Sequence, residues 1–203
     1  YWASGRDVYP SVNPESGGPT GVNLLVSTLT VVFLMLVLPI IQGVAPWGNH
    51  SLLPMSCWGV FVSQVLLVAI IGMDHASHRE WQQWLSLGSL TLWIPLMPIY
   101  YRGFAWPKES KRWRMATLVW FGILTATGWF SFLPHVLDHL KFTDGLVAHS
   151  HLAMAGFVTS FNLLLINLLG KSSLLRAVNR PLAFWFWNGA TATYVILMWV
   201  AGA

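Results

Sequence analysis

Six apolar runs dominate this chain, at 22–45, 55–73, 84–102, 113–133, 145–169 and 182–202. Each is long enough to cross the ~30 Å hydrocarbon core of a bilayer as a helix rising ~1.5 Å per residue. Water does not reach the backbone there, so every peptide group must be bonded within its own segment, which a helix achieves. The chain is therefore expected to be an all-α polytopic membrane bundle of six transmembrane helices. Composition agrees: 55% of its 203 residues are hydrophobic and 9% charged, whereas a soluble domain carries about 25% charged residues. Pro39, Pro95 and Pro98 are expected to kink their helices or mark their ends. Residues 1–21 are rich in Pro, Gly, Ser and Asn and read as an irregular extramembrane segment ahead of the 22–203 membrane domain. A start at Tyr1 is the start expected of a processed or partial product. Cys57 is the lone cysteine, so no intrachain disulfide forms.

Charge placement sets the expected topology. Arg6, Arg79 and Lys141 fall on the side of the N-terminus. Arg102, Lys108, Lys111, Arg112, Arg114, Lys171, Arg176 and Arg180 fall on the other. The positive-inside rule makes the second side cytoplasmic. Both termini are then outside, in the periplasm if the membrane is a bacterial inner membrane. The net charge of +4 thus reads as sidedness rather than as nucleic-acid binding. The basic loop "YYRGFAWPKESKRWRM" reads as topogenic, with lipid headgroup contacts, and its Trp106 and Trp113 fit an interfacial aromatic belt.

The histidines group on the expected outer side. His75 and His78 lie in the second connection, His135 and His139 in the fourth, and His149 and His151 open the fifth helix; His50 alone falls in an inner connection. Asp74, Glu80, Asp138 and Asp144 accompany them. Such a cluster suits metal or haem ligation, or proton handling. His149 and His151 stand two apart, so on a helix they point about 200° apart. They do not readily share one metal, but they can serve two ligands on opposite sides of one helix. His135 and His139 share a face if their segment is helical, and with His75 and His78 they are candidate zinc or copper ligands. The alternative is a solvated connecting loop at 134–144, with His75 and His78 in capping and solvation. The sequence holds no Walker loop, dinucleotide fingerprint, CxxCH haem attachment or Ser/His/Asp constellation.

The stretch "KFTDGLVAHSHLAMAGFV" resembles the tenth helix of the catalytic subunit of haem-copper oxygen reductases, closest to the C-family (b-type) oxidases and the nitric oxide reductases. "GMDHASHREWQQWLSLGSLTLWIP" resembles their seventh and eighth helices, and "LVLPIIQG" the end of the sixth. The likeness runs through most of residues 20–170. It implies helices similar to six to eleven of a twelve-helix fold. In that family the first histidine of HxH binds the high-spin haem and the second the low-spin haem, which implies His149 and His151 for these roles and haem b as cofactor. The copper ligands are not retained. The sixth-helix position falls near Pro19, the adjacent histidine pair reads Asp74-His75, and the tyrosine position falls near Val68.

These readings lead to one expectation with two alternatives. The chain is expected to be an oxidase-like integral membrane subunit of a respiratory or other electron-transfer complex, binding haem through the HxH pair but not reducing oxygen by itself. Other membrane subunits and lipids are its expected partners, and nucleic acid is not. The first alternative is a cofactor-free structural or assembly subunit of a respiratory or photosynthetic complex. The second is a zinc or copper site built from His75, His78, His135 and His139.

Overall fold

A computed structural model describes residues 12–13, 18–19, 22–46, 52–71, 80–140, 142–170 and 172–202. Its described residues are mostly helical, with a two-residue antiparallel ladder, β1 (Val12–Asn13) with β2 (Gly18–Pro19), and an isolated bridge between Pro46 and Phe104. The helices are α1 (Val22–Ile41), α2 (Leu52–Ile71), α3 (Trp81–Leu90), α4 (Trp93–Arg102), α5 (Lys111–Ser131), α6 (Pro134–Leu140), α7 (Asp144–His151), α8 (Thr159–Leu169), α9 (Ser172–Val178) and α10 (Pro181–Gly202). A π-helical segment, Leu152–Val158, joins α7 to α8 without a break. Each apolar run is thus helical. Among the described residues, three helical stretches are long and apolar enough to cross a membrane: Leu24–Ile41, Pro54–Ile71 and Asp144–Leu169. Helices α5 and α10 have the length, but Lys111, Arg112 and Arg114 dilute the first and Trp, Asn and Thr the second.

Pro39 and Pro95 act where their chemistry predicts, while Pro98 lies inside α4 (Trp93–Arg102). Pro39 sits in the last turn of α1, which ends in a left-handed turn at Gly43, φ 61°. There Gly43 N bonds Ile40 O at 3.1 Å and Val44 N bonds Pro39 O at 2.9 Å, the reciprocal pair of a Schellman cap. The run expected as one helix over 84–102 is instead two, broken at Thr91–Leu92. Pro95 has no N–H for the carbonyl of Thr91, and its ring crowds that carbonyl. Ile94 N takes Thr91 O instead, at 3.1 Å. The break also exposes Ser89 O, which accepts from Gln64 Nε2 at 2.8 Å, while Gln64 Oε1 accepts from Trp93 Nε1 at 2.6 Å. A glutamine in the middle of an apolar helix is thereby satisfied at both ends.

Long-range bonds fix which helix ends lie together. Tyr100 Oη donates to Leu36 O at 2.7 Å and Tyr101 Oη to Met35 O at 3.1 Å, joining the C-terminal ends of α1 and α4. Trp113 Nε1 donates to Val178 O at 3.2 Å and Arg112 Nη1 to Asn179 O at 2.9 Å, bringing the start of α5 to the α9–α10 connection. The cations of 102–114 and of 176–180 therefore share one end of the bundle. At the other end, Gly202 at the close of α10 backs onto the backbone of Gly145 at the start of α7, where neither leaves room for a side chain.

Large aliphatic side chains cover much of the outside of the bundle, around an apolar core that also holds polar residues. Gln64, Gln83, Ser86, Thr117 and Ser160 are buried. Meanwhile Ile70 and Leu182 are each 81% exposed and Val200 is 72% exposed. Large aliphatics outward is the arrangement a hydrocarbon solvent favours, and of the buried polar side chains Gln64 and Thr117 are bonded, Gln64 to Ser89 O and Trp93 Nε1 and Thr117 to Trp113 O. The exposed aliphatics and the three helices long and apolar enough to cross a bilayer are those of an integral membrane protein.

Candidate functional site

The segment that carries His149 and His151 is built to hold its direction. Phe142 precedes it at φ 64°, a left-handed conformation that costs a non-glycine residue about 1–2 kcal/mol and turns the chain sharply out of α6. Thr143 then caps α7, its hydroxyl accepting from Gly145 N at 3.2 Å. Beyond His151 the helix widens into the π segment, a local distortion that is enriched at functional sites. The carbonyls it displaces are bonded: Ala155 O accepts from Trp187 Nε1 at 3.1 Å and Met154 O from Thr159 Oγ1 at 3.0 Å. On the opposite side, Gly156 lies so close to Trp120 that a Cβ there would stand 2.7 Å from Trp120 Cδ2. Helices α5 and α10 thus clamp the segment between them.

His149 faces α5. Its Nδ1 lies 3.1 Å from Thr127 Oγ1. That hydroxyl has one hydrogen and lies 2.8 Å from Ile123 O and 3.2 Å from Leu124 O. With that hydrogen on Ile123 O, the oxygen is free to accept from Nδ1–H, the tautomer that leaves the lone pair on Nε2. Gly128 makes room for the ring: a Cβ there would lie 3.2 Å from His149 Cε1. The imidazole lines a partly open cavity of about 540 Å³ between α1, α3, α5 and α7, whose walls include Val31, Leu87, Phe121, Trp129 and Leu146. This volume falls among those of small-molecule and cofactor sites, about 300–1,000 Å³. Among the described residues no Lys or Arg lines it.

His151 faces the other way, as the two-residue spacing requires. Its Nδ1 donates to Val147 O at 3.0 Å, which also leaves the lone pair on Nε2. Its ring meets Tyr194 of α10 edge to face, centroids 5.0 Å apart. The two imidazoles thus serve different environments, a cavity for one and a packed helix for the other.

His135 and His139 lie on α6, so the connection expected as a loop is helical there. Both are exposed. His139 Nδ1 donates back to His135 O at 2.7 Å, an intrahelical bond. His75 and His78 lie outside the described residues. Among the described residues no group of three or more His, Cys, Asp or Glu is placed to hold a metal ion.

Sequence reasoning reached His149 but missed Thr127 and Gly128, which orient it. Their signal was local: a Thr-Gly pair inside an apolar helix, "TATGWF", where glycine weakens a helix unless something must approach closely. No protein-family model, curated protein or solved structure matches the chain. The resemblance to haem-copper reductases therefore rests on the residues quoted for it.

Proposed function

We propose that this chain is an oxidase-like integral membrane subunit that holds haem b through His149 inside a larger electron-transfer complex. The observation that carries the proposal is the placement of His149, with Nδ1 3.1 Å from Thr127 Oγ1 and a largely apolar cavity beside the ring, which suits the tautomer with its lone pair on Nε2. A ligating histidine ordinarily donates its other ring nitrogen to a fixed partner, which sets tautomer and orientation. Bound there, the haem would supply a one-electron redox centre whose potential depends on burial and on that second hydrogen bond. The chain's own contribution is to orient the imidazole through Thr127, to admit it beside Gly128, and to keep water from the apolar walls.

Tyr194 occupies the face of His151, so the proposal assigns the haem to His149 and gives His151 no haem of its own in this chain. The six-span topology, with the histidine end outward and the basic end cytoplasmic, is part of the same proposal; the shared end of the cations supports it. With the copper ligands absent from the sequence, the subunit is not a self-sufficient oxidase. The cofactor-free packing role remains the competing reading. A pyridine haemochrome assay on the chain as purified from membranes separates the two. Haem b in the wild type and in His151→Ala, with loss in His149→Ala, supports the proposal; a haem-free wild type defeats it.

A further inference from the structure

A second cavity lies at the opposite end of the bundle from His149. Its volume is about 590 Å³, and it runs between α4 and α5. Two rows of lining residues face each other across it, Ile94, Pro98 and Arg102 on α4 and Arg114, Leu118 and Gly122 on α5. Each row recurs every four residues, which is one stripe of a helix. The two rows run in opposite senses, so each places its arginine at the same end. From Arg114 to Gly122 the stripe descends about 12 Å at the α-helical rise. The site therefore has a cationic head and an apolar trough beneath it.

The head is organised rather than a loose surface pair. The Arg114 guanidinium lies over the Trp106 ring, 5.6 Å from its centroid. Trp106 is held in turn by its Nε1, which donates to Tyr101 O at 2.7 Å, and by stacking on the Tyr101 ring at 4.9 Å. Between 102 and 114, Arg102, Lys108, Lys111, Arg112 and Arg114 face a single carboxylate, Glu109. The excess charge calls for an anion. The apolar side chains at the trough's rim, Met115 and Val119, are half exposed and turned outward, toward where hydrocarbon would lie.

We propose that this groove is a binding site for one anionic phospholipid, its phosphate on Arg102 and Arg114 and an acyl chain along the trough from Leu118 to Gly122. The assignment needs the chain to be embedded in a membrane but does not depend on haem at His149, so the two fail separately. A haem-free chain would still bind the lipid, and a haem-loaded chain could lack the site.

The test is native mass spectrometry of the full chain released from detergent micelles, titrated with dioleoyl phosphatidylglycerol, with dioleoyl phosphatidylcholine of the same chains, and with inorganic phosphate. One phosphatidylglycerol per chain is expected to bind about tenfold or more tighter than phosphatidylcholine, given two arginines near one phosphate. Arg102→Gln with Arg114→Gln is expected to abolish that preference. Gly122→Leu, which keeps the charges and fills the trough, is expected to weaken binding of both lipids. Arg112→Gln, whose guanidinium is turned to Asn179 O, is expected to change nothing. Equal binding of the two lipids by the wild type, displacement of phosphatidylglycerol by millimolar phosphate, or an equal loss in Arg112→Gln would overturn the assignment.

Discussion

Replacing Thr127 with Val keeps the shape of the side chain and deletes the oxygen that receives His149 Nδ1–H across 3.1 Å. The lost hydroxyl also releases its bond to Ile123 O, but a carbonyl within a helix keeps its backbone partner, so that loss is small. The consequential change is a donor on a half-buried ring left without its acceptor, which costs about 1–3 kcal/mol where the ring cannot turn to find another. With a ligand on Nε2 the ring is fixed and cannot turn toward another acceptor, so the cost falls on the bound state. At 1.4 kcal/mol per tenfold, the expected loss of haem affinity is roughly tenfold to a hundredfold, the range seen when such outer partners of metal ligands are removed. The assay is an optical titration of the detergent-solubilised chain with haem, alongside thermal unfolding of the haem-free chain. Unfolding is expected to shift by no more than about 1 kcal/mol. Unchanged affinity in Thr127→Val, with His149→Ala abolishing binding, would refute the orienting role of the hydroxyl.

Three other substitutions probe the same geometry. Gly128→Ala is expected to leave the haem-free fold as stable or stabilise it by up to about 1 kcal/mol, since alanine favours a helix, yet to weaken haem binding because its Cβ presses His149 Cε1 at 3.2 Å. A parallel fall in stability and affinity would show that the contact is merely structural. Gly156→Ala forces a methyl group onto Trp120 at 2.7 Å and is expected to destabilise by about 1–3 kcal/mol, read by chemical unfolding in detergent; no change would mean α5 and the π segment are not tightly packed. Trp93→Phe removes the donor to Gln64 Oε1 and strands a buried carbonyl oxygen, at an expected cost of about 1–3 kcal/mol; Gln64→Leu in the same background is expected to recover most of it, and failure to recover would argue against the bond.

The helical character of the six apolar runs was legible from their apolar length, although only Leu24–Ile41, Pro54–Ile71 and Asp144–Leu169 are, among the described residues, long and apolar enough to cross a membrane. The opposed directions of His149 and His151 were legible for a similar reason, since residues two apart on a helix cannot face the same way. The split of the third run was half legible: Pro95 announced a disturbance, but its effect appears four residues earlier, at the carbonyl it cannot serve. The π segment left no such mark. "LAMAGFV" has ordinary helix-forming composition, and the widening is fixed by Trp187 and Trp120, which come from distant parts of the chain. Thr127 and Gly128 were hidden for the same reason, because a side chain that orients another across a helix interface has no fixed spacing from it. The groove at Arg102 and Arg114 was visible only as a basic loop, because its trough requires two helices to bring their stripes together.

Haem stoichiometry across three purified chains bears most directly on the central claim: the wild type, His149→Ala and His151→Ala, each reconstituted with haem b in detergent and cleared of excess. The account predicts one haem per chain in the wild type and in His151→Ala, and none in His149→Ala, with all three chains unfolding at similar temperatures. Haem that survives in His149→Ala, or that vanishes only in His151→Ala, would contradict it.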